Sequence, residues 1–578
     1  MSAKTEVIQP NRSIPNQHDE KQPQQEGSSL ILSYAVQVLN LLFCLVQAPG
    51  LRLTMLSLLA YLDSASSIDS LNKNEKEKGK ERTKWSDVEW CCWLAESTIK
   101  WTALQHRLII LSAFLEALVS TPRSQSSNSN QTVIRESTLL AILTLIFTSK
   151  TSLLGIEIRE TLSQLLLFLT QHCSQPNGDK SLLPAVVKCI SSLTINIYYE
   201  EEVNDITQDL IQHLRAFSLL SDSNVQTNYE PTRVAITTNV ILCMISVLEQ
   251  AHLQSEMNRT LQIVDSETSP PVVITQDNGR KSKSFLKILT WQESLFLLND
   301  DSSSVRLTYA HALLTYIRLE LSHMTISSSS NGEHLLHFFD MLNVVVYNLA
   351  LGKQLKARAA SMTSTQVSSP VPTRSHPGSL HQTYLDSNEI TKRLLPTPQD
   401  FAASIEILSS IQRTKLPQAA LSTAPMLFSL DRSSRAVWGE AKDYSREAAC
   451  KEVVIAVLNT IAKEWEISRL SAYLREVRLS NMLWPFLMII QVFVNRFIAT
   501  VPPLAAIDQI HTVFDFNSQS NKEAVTASVD QAALAHQFAG TTLESASSLD
   551  AETLVGMMQA NWTPENTHHQ RKYAGSPP

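Results

Sequence analysis

The chain has 578 residues, of which 43% are apolar and 18% are charged, and its net charge is −7. This charge argues against a nucleic-acid-binding protein that relies on phosphate contacts, because such a protein needs a basic surface. Only 13 residues are glycine. Sheet-rich folds use glycine at turns and bulges, and phosphate-binding loops need it for close backbone approach. We therefore expect an all-α protein.

The first 28 residues are polar, contain three prolines and lack the pattern of a signal peptide, so we expect residues 1–28 to be disordered. Beyond them, no uninterrupted apolar run reaches the roughly 18–20 residues of a membrane-spanning helix. The seven cysteines are odd in number and form no CxxC pair. This usage is typical of reduced, buried thiols in a cytoplasmic chain.

From residue 29 to 356 the sequence predicts a helical-repeat rod, because apolar residues recur at every third and fourth position. Helices 134–148 and 155–172 form one predicted pair, and 182–197 and 203–219 form the next. The two pairs start 48 residues apart, close to the roughly 40–47-residue period of HEAT and armadillo repeats. The clearest stripe in the first pair is formed by Leu162, Leu165, Leu166 and Leu169.

A third predicted pair joins 231–252 with 284–299, and its second member is expected to be one amphipathic helix. A turn at Asp300 or Asp301 follows. The sequence after this turn, beginning with Val305 and Arg306, resembles the second helix of a HEAT repeat. The pattern predicts an all-α HEAT/armadillo-like solenoid.

Residues 357–398 are rich in Ser, Thr and Pro, which predicts a flexible linker and a candidate phosphorylation region. A C-terminal helical region is expected over 399–515. Within it, helical patterns cover 399–412 and dominate 433–500.

The tail, residues 516–578, is mostly polar and is expected to be mostly disordered, with a short docking helix near 549–562. Apolar side chains spaced for a helix in a groove predict a partner-binding site there. Its residues are Leu549, Leu554, Met557, Met558 and Trp562. The alternative is that the segment folds back on the protein's own helices near 486–500.

No nucleotide-binding, hydrolase, zinc-protease or kinase motif is present in the sequence. His334, His337 and Asp340 recur every three residues, but the intervening Leu and Phe favour a structural role. We therefore expect no enzyme, no catalytic or metal site and no cofactor.

A lysine-rich run between residues 73 and 84 has a net charge of +3. Such a run assists binding to an anionic membrane at roughly 1 kcal/mol per basic residue, which is too little to anchor the chain alone. The alternative is a solvated loop. The predicted membrane-assisting residues are Lys73, Lys76, Lys78, Lys80 and Lys84.

Three segments resemble the fungal eighty-five-requiring-protein-three (Efr) family, and the resemblance runs from about residue 30 to 515. They are SDVEWCCWLAESTIKWTALQHR, SLLPAVVKCISSLTINIYYEEEVNDI and SSVRLTYAHALLTYIRLEL. The resemblance implies a non-catalytic peripheral protein at the cytoplasmic face of the plasma membrane, with a cytoplasmic pool. It implies binding to anionic lipids. It further implies recruitment of a phosphatidylinositol 4-kinase, through a tetratricopeptide-type scaffold partner, to make phosphatidylinositol 4-phosphate.

The resemblance also implies acylated cysteines or a basic patch ahead of the rod. Residues 1–28 have a net charge of −1, and the first cysteine is Cys44, within an apolar pattern. We expect the chain as written to bind membranes weakly and with strong salt dependence, since even one myristoyl chain is marginal. One alternative is a generic HEAT/armadillo adaptor in trafficking or signalling without a lipid link. Another is a helical hydrolase or transferase with an unrecognised site.

Overall fold

The computed structural model describes residues 48–69, 87–120, 129–149, 157–175, 180–196, 201–221, 230–267, 286–323, 329–352, 395–439, 441, 443–480 and 529–566. All regular secondary structure in these ranges is helical and no strand occurs, which confirms the predicted all-α fold. The chain divides into two compact units. The first comprises residues 1–117 with 151–155, and the second comprises 118–150 with 156–578.

The first unit contains α1 (Ala48–Asp69), α2 (Asp87–Trp101) and most of α3 (Arg107–Val119). α1 packs against α2, and it buries one apolar face while Leu53 and Leu56 on the other face are exposed. An aromatic contact reinforces this packing, because the ring centroids of Tyr61 on α1 and Trp90 on α2 lie 5.7 Å apart in an edge-to-face arrangement.

The second unit contains fifteen helices within the described ranges. In chain order they are α4 (Ser129–Thr148), α5 (Ile158–Cys173), α6 (Leu183–Ser192), α7 (Glu201–Ser221), α8 (Glu230–Glu267), α9 (Ile288–Gln292), α10 (Ser303–Leu319), α11 (Ser329–Leu351), α12 (Pro398–Arg413), α13 (Pro417–Ser434), α14 (Tyr444–Glu464), α15 (Ser468–Ser480), α16 (Gln531–Ala535), α17 (Thr542–Ser547) and α18 (Ala551–Gln559).

These helices stack in two rows. In one row α4, α6, α8, α10, α12 and α14 each contact the next, and in the other α5, α7, α9, α11 and α13 do the same. Each helix thus covers the apolar face of its neighbours, as in a helical-repeat solenoid. This arrangement confirms the predicted fold class.

The leucine stripe of α5 lies in the core between the rows. Leu162, Leu165, Leu166 and Leu169 are all at most 4% exposed. Burial of each such side chain stabilises the fold by roughly 1.5–3 kcal/mol. The stripe stabilises α5 only because neighbouring helices cover it.

The segment predicted as one helix over 284–299 is broken in the structure. α9 ends at Gln292, and a separate 3₁₀ turn covers Leu295–Asn299. The Ser294 hydroxyl lies 2.6 Å from both the Trp291 carbonyl oxygen and the Tyr309 hydroxyl. A serine that hydrogen-bonds to nearby backbone competes with helix continuation, so the prediction of a continuous helix is corrected.

The predicted C-terminal helical region, 399–515, has no individually assigned helix between 413 and 433, and α13 spans Pro417–Ser434 there and contains Pro425. Almost every α13 residue up to Asp431 is buried. A helix covered on all sides has no polar face, so the 3.6-residue period that reveals a helix is missing. Its proline also suggests a break that does not occur.

Two buried arginine–aspartate pairs connect elements that are distant in sequence. Arg233 donates to both carboxylate oxygens of Asp300, at 2.8 and 3.1 Å. Arg306 on α10 donates to both oxygens of Asp400 on α12, at 2.9 and 2.6 Å. Arg306 also donates to the Asp300 carbonyl oxygen at 2.9 Å. These bonds hold α8, α10 and α12 in register.

The end of α11 and the residues before α12 are both held near Trp438. Trp438 Nε1 donates to the Ala350 carbonyl oxygen at 3.3 Å, and Arg446 Nε donates to the Pro396 carbonyl oxygen at 3.2 Å. The Arg446 guanidinium lies 5.5 Å from the Trp438 ring centroid. Of the predicted linker at 357–398, residues 357–394 lie outside the described residues, and α12 begins at Pro398.

Two stretches of the described chain are long and apolar enough to cross a bilayer by length and composition. They are Pro231–Met257 in α8 and Gly332–Leu351 in α11, and 67% of the apolar window in each is buried inside the protein. Packing between the two rows accounts for their apolar content.

Candidate functional site

Residues 529–566, called here the C-terminal segment, are folded. They form α16, a short 3₁₀ turn at His536–Phe538, α17 and α18. The Asp530 and Asp550 side chains cap the first and last of these helices. The buried apolar side chains of the segment are Leu534, Ala535, Phe538, Leu543, Leu554, Met558 and Trp562. The expectation of a mostly disordered tail is thus corrected for residues 529–566.

The C-terminal segment packs against α11 and α13, on a surface that we call the α11–α13 face and define by Tyr347, Ser429 and Arg432. The ring centroids of Trp562 and Tyr347 lie 5.0 Å apart, edge to face. Ser429 Oγ donates to the Trp562 carbonyl oxygen at 2.9 Å, and Arg432 Nη2 donates to Asn561 Oδ1 at 3.0 Å. The row that ends with α11 and α13 therefore continues into this segment through one aromatic contact and two hydrogen bonds.

Further contacts fix the beginning and middle of the C-terminal segment. The Val529 N–H donates to Asp431 Oδ2 at 3.3 Å. Thr542 Oγ1 donates to the Trp465 carbonyl oxygen at 2.8 Å, at the end of α14. The segment is thereby attached to α13 and α14 along its length.

The predicted partner-binding residues divide into two groups. Leu554 and Met558 are 0% exposed and Trp562 is 6% exposed, so their side chains are not accessible to another protein in this conformation. The physical reason is that α13 and α16 cover them. Leu549 and Met557 are half-buried, and their role in binding stays a prediction. The segment does fold back on the chain, onto α11 and α13; residues 486–500 lie outside the described residues.

Asp431 is the charged group beneath the beginning of the C-terminal segment. Its side chain is 3% exposed and lies 3.6 Å from Arg435 Nη2. Burial raises the pKa of Asp431, and Arg435 opposes that rise. Burial also lowers the pKa of Lys451, whose Nζ lies 3.4 Å from Glu447 Oε1. The junction between α13 and the C-terminal segment, defined here by Asp431, Arg435, Glu447 and Lys451, therefore contains charged groups that are partly removed from water.

The His-His-Asp series on α11 has a structural role for its acidic member. Asp340 is buried and accepts a hydrogen bond from Ser422 Oγ on α13 at 2.5 Å. His334 is exposed and His337 is half-buried. Across the described ranges, no group of three or more His, Cys, Asp or Glu residues has the arrangement of a metal site.

Four cysteines in the described part of the chain are buried: Cys91, Cys189, Cys243 and Cys450. Burial raises the pKa of Cys189 to about 12 and that of Cys173 to about 11. Since the thiolate is the reactive form, these thiols are unreactive at neutral pH. The burial agrees with the predicted position of these cysteines inside apolar helical patterns.

The membrane-assisting lysines Lys73, Lys76, Lys78, Lys80 and Lys84 all lie outside the described residues, between α1 and α2. Their proposed contact with lipid stays a prediction. Residues 1–47, which include Cys44, also lie outside the described residues.

Comparison with known proteins gives fungal relatives that share one name. "Protein EFR3" of Mycosarcoma maydis is 24% identical over 94% of this chain and 57% of the relative. "Protein EFR3" of Cryptococcus neoformans is 28% identical over 66% of this chain and 41% of the relative. The chain thus spans about half the length of these curated relatives.

No protein-family model and no solved structure matches the chain. A third relative, "Protein efr3" of Emericella nidulans, is 23% identical over 40% of this chain and 21% of its own length. Similarity to proteins of this name over nearly the whole chain confirms the resemblance to the Efr family that the three sequence segments carry.

Proposed function

We propose that the chain is a non-catalytic peripheral membrane scaffold. It recruits a phosphatidylinositol 4-kinase complex to the cytoplasmic face of the plasma membrane and supports synthesis of phosphatidylinositol 4-phosphate there. The observation that carries the proposal is the similarity to Protein EFR3 over 94% of the chain. The role itself comes from the family resemblance of the sequence.

A helical-repeat array suits this role physically. Stacked repeats provide an extended surface on which a large partner can bind through many weak contacts. The partner in this proposal is a tetratricopeptide-type scaffold protein, which carries the kinase. Anionic lipids are the second ligand, and Lys73–Lys84 assist their binding electrostatically.

The function is tested by depleting the protein in its own cells and measuring phosphatidylinositol 4-phosphate at the plasma membrane with a lipid-binding reporter. We expect the lipid signal and the membrane-bound kinase to fall together, and the full chain to restore both. A matched pair of rescue variants uses α5, where Leu165 is 0% exposed and Leu167 is 46% exposed. Leu167→Asp should restore the signal, whereas Leu165→Asp should not.

Affinity purification followed by mass spectrometry identifies the partner class. Recovery of a lipid 4-kinase together with a tetratricopeptide-type protein supports the proposal. Unchanged lipid levels after depletion, with partners from another pathway, would contradict it and favour a generic adaptor.

Vesicle sedimentation of the purified chain tests the lipid contact separately. We expect weak binding to anionic vesicles that is lost as salt increases. Replacing Lys73, Lys76, Lys78, Lys80 and Lys84 by Gln should remove the salt-sensitive part. Tight sedimentation that resists salt would contradict this part of the proposal.

A further inference from the structure

The C-terminal segment contacts the α11–α13 face with one side of a short helix and the residues after it. Leu554, Met558 and Trp562 follow at intervals of four residues, and all three are buried. Leu554 and Met558, at i and i+4, lie along one side of α18, and Trp562 follows three residues after the helix ends at Gln559. The segment thus uses the same geometry as a helical ligand bound in a groove of another protein.

Charge also favours this contact. The C-terminal segment contains five acidic residues and no lysine or arginine. The α13 surface beneath it provides Arg432, which donates to Asn561, and Arg435 lies beside Asp431. The five carboxylates of the segment and the exposed Arg432 are opposite in charge, which favours fast association at long range, while the direct contact of Arg432 is with the neutral amide of Asn561.

The fit at this contact is nonetheless incomplete. Trp562 Nε1, Trp465 Nε1 and Asp431 Oδ1 are buried and have no hydrogen-bond partner within the described part of the chain. A buried polar atom without a partner offsets part of the stabilisation gained from apolar burial. Undocking the segment would return these atoms to water, so the contact is weaker than its apolar burial alone implies.

The covalent connection does not fix which copy supplies the segment. Residues 481–528 separate α15 from the C-terminal segment. A chain of this length spans at most about 160 Å when extended. Exchange of an identical element between two copies is a low-cost route to a dimer, because every contact is retained.

From these observations we propose that the α11–α13 face is an exchangeable docking site, and that residues 529–566 of a second copy of this chain bind there in place of the chain's own segment. The recognised ligand is an acidic helical segment with Leu, Met and Trp at intervals of four residues. This proposal does not depend on the scaffold function.

The test uses the full chain with a site-specific protease sequence inserted between residues 505 and 506. After cleavage, a fluorescent synthetic peptide of residues 529–566 is added in excess, and its binding is followed by anisotropy. We expect saturable uptake with release of the resident fragment. A Trp562→Ala peptide should bind at least about 10-fold more weakly, since a buried aromatic anchor carries much of such an interface. A peptide with Glu552→Gln, at an exposed position, should bind like the original.

Two results would overturn the proposal. One is a resident fragment that stays bound and never exchanges during a day of incubation. The other is a fragment that leaves while the labelled peptide fails to bind. As a second measurement, two intact chains with different tags are coexpressed. They should copurify, lose copurification with Trp562→Ala and keep it with Glu552→Gln; copurification that persists with Trp562→Ala counts against the exchange.

Discussion

α13 contacts two neighbours of different character. On the side of the helix rows, α11, α12 and α14 cover it, and the Asp340–Ser422 hydrogen bond is buried there. On the side of the C-terminal segment, the contact consists of the buried Leu554, Met558 and Trp562 together with a few hydrogen bonds. The free energy of local unfolding therefore differs between the two sides. Helices within the rows unfold cooperatively with their neighbours, whereas the C-terminal segment, which packs on one side only, opens at lower cost.

The largest loss of stability is expected from a charged side chain placed in the buried leucine stripe of α5. Leu165→Asp puts an unpaired carboxylate where the side chain is 0% exposed. We expect the free energy of unfolding to fall by about 5 kcal/mol or more, with loss of the adjacent repeats. Circular dichroism melting measures this effect. Leu167→Asp on the same helix is the control, and unchanged melting of Leu165→Asp would refute the repeat packing.

The next largest effect tests the buried ion pair that joins α10 to α12. Arg306→Ala leaves Asp400 buried without its cation, and such a loss costs roughly 3–5 kcal/mol. We expect lower resistance to urea and faster amide exchange in α10 and α12. The control is Arg318→Ala on the same helix, since that side chain is 63% exposed. If both variants lowered the free energy of unfolding equally, the buried Arg306–Asp400 pair would contribute no more than an exposed arginine.

A smaller and more local effect is expected in the C-terminal segment. Trp562→Ala removes the contact with Tyr347, so amides of α16–α18 should exchange faster with solvent. The melting of the helix rows should stay the same, because those helices do not depend on the segment. A fall in the melting temperature of the whole chain would instead show that the segment is part of the cooperative core.

The smallest effect is a pH dependence at the junction. Because the pKa of Asp431 is raised in the folded protein, the folded state retains its proton more strongly than the unfolded state. The stability contributed by this group is present below the usual aspartate pKa and is lost as pH rises through the raised value. Urea midpoints of the wild type should therefore fall relative to Asp431→Asn over that range. Parallel curves for the two proteins would contradict this assignment.

The sequence predicted helices that bury one face and expose the other. It missed a helix that is buried on all sides and a break that depends on a long-range contact. The stripe of α5 and the helix pairs from α4 to α7 follow from apolar spacing alone. α13 escaped because it is covered on all sides and contains Pro425. The break after α9 depends on the Ser294 contact with Tyr309, which local spacing does not reveal.

The candidate site was harder to predict than the fold. The apolar residues near 549–562 were recognised as a helix with a binding surface, but their partner within the chain was not. Ser429 and Trp562 are 133 residues apart in sequence, and no local pattern shows that they meet. The helices of the C-terminal segment have five to nine residues, too short to be stable alone, so their existence depends on this long-range contact.

The contacts of Trp438 with Ala350 and of Arg446 with Pro396 have a practical consequence. Because both ends of residues 353–394 are held beside the same aromatic ring, α12 follows α10 in its row as if the intervening sequence were absent. Domain insertion succeeds where the flanking chain is already closed by the host fold. A fluorescent protein inserted within residues 353–394 should therefore leave the repeat stack undisturbed. This insertion site would allow the protein to be imaged in living cells.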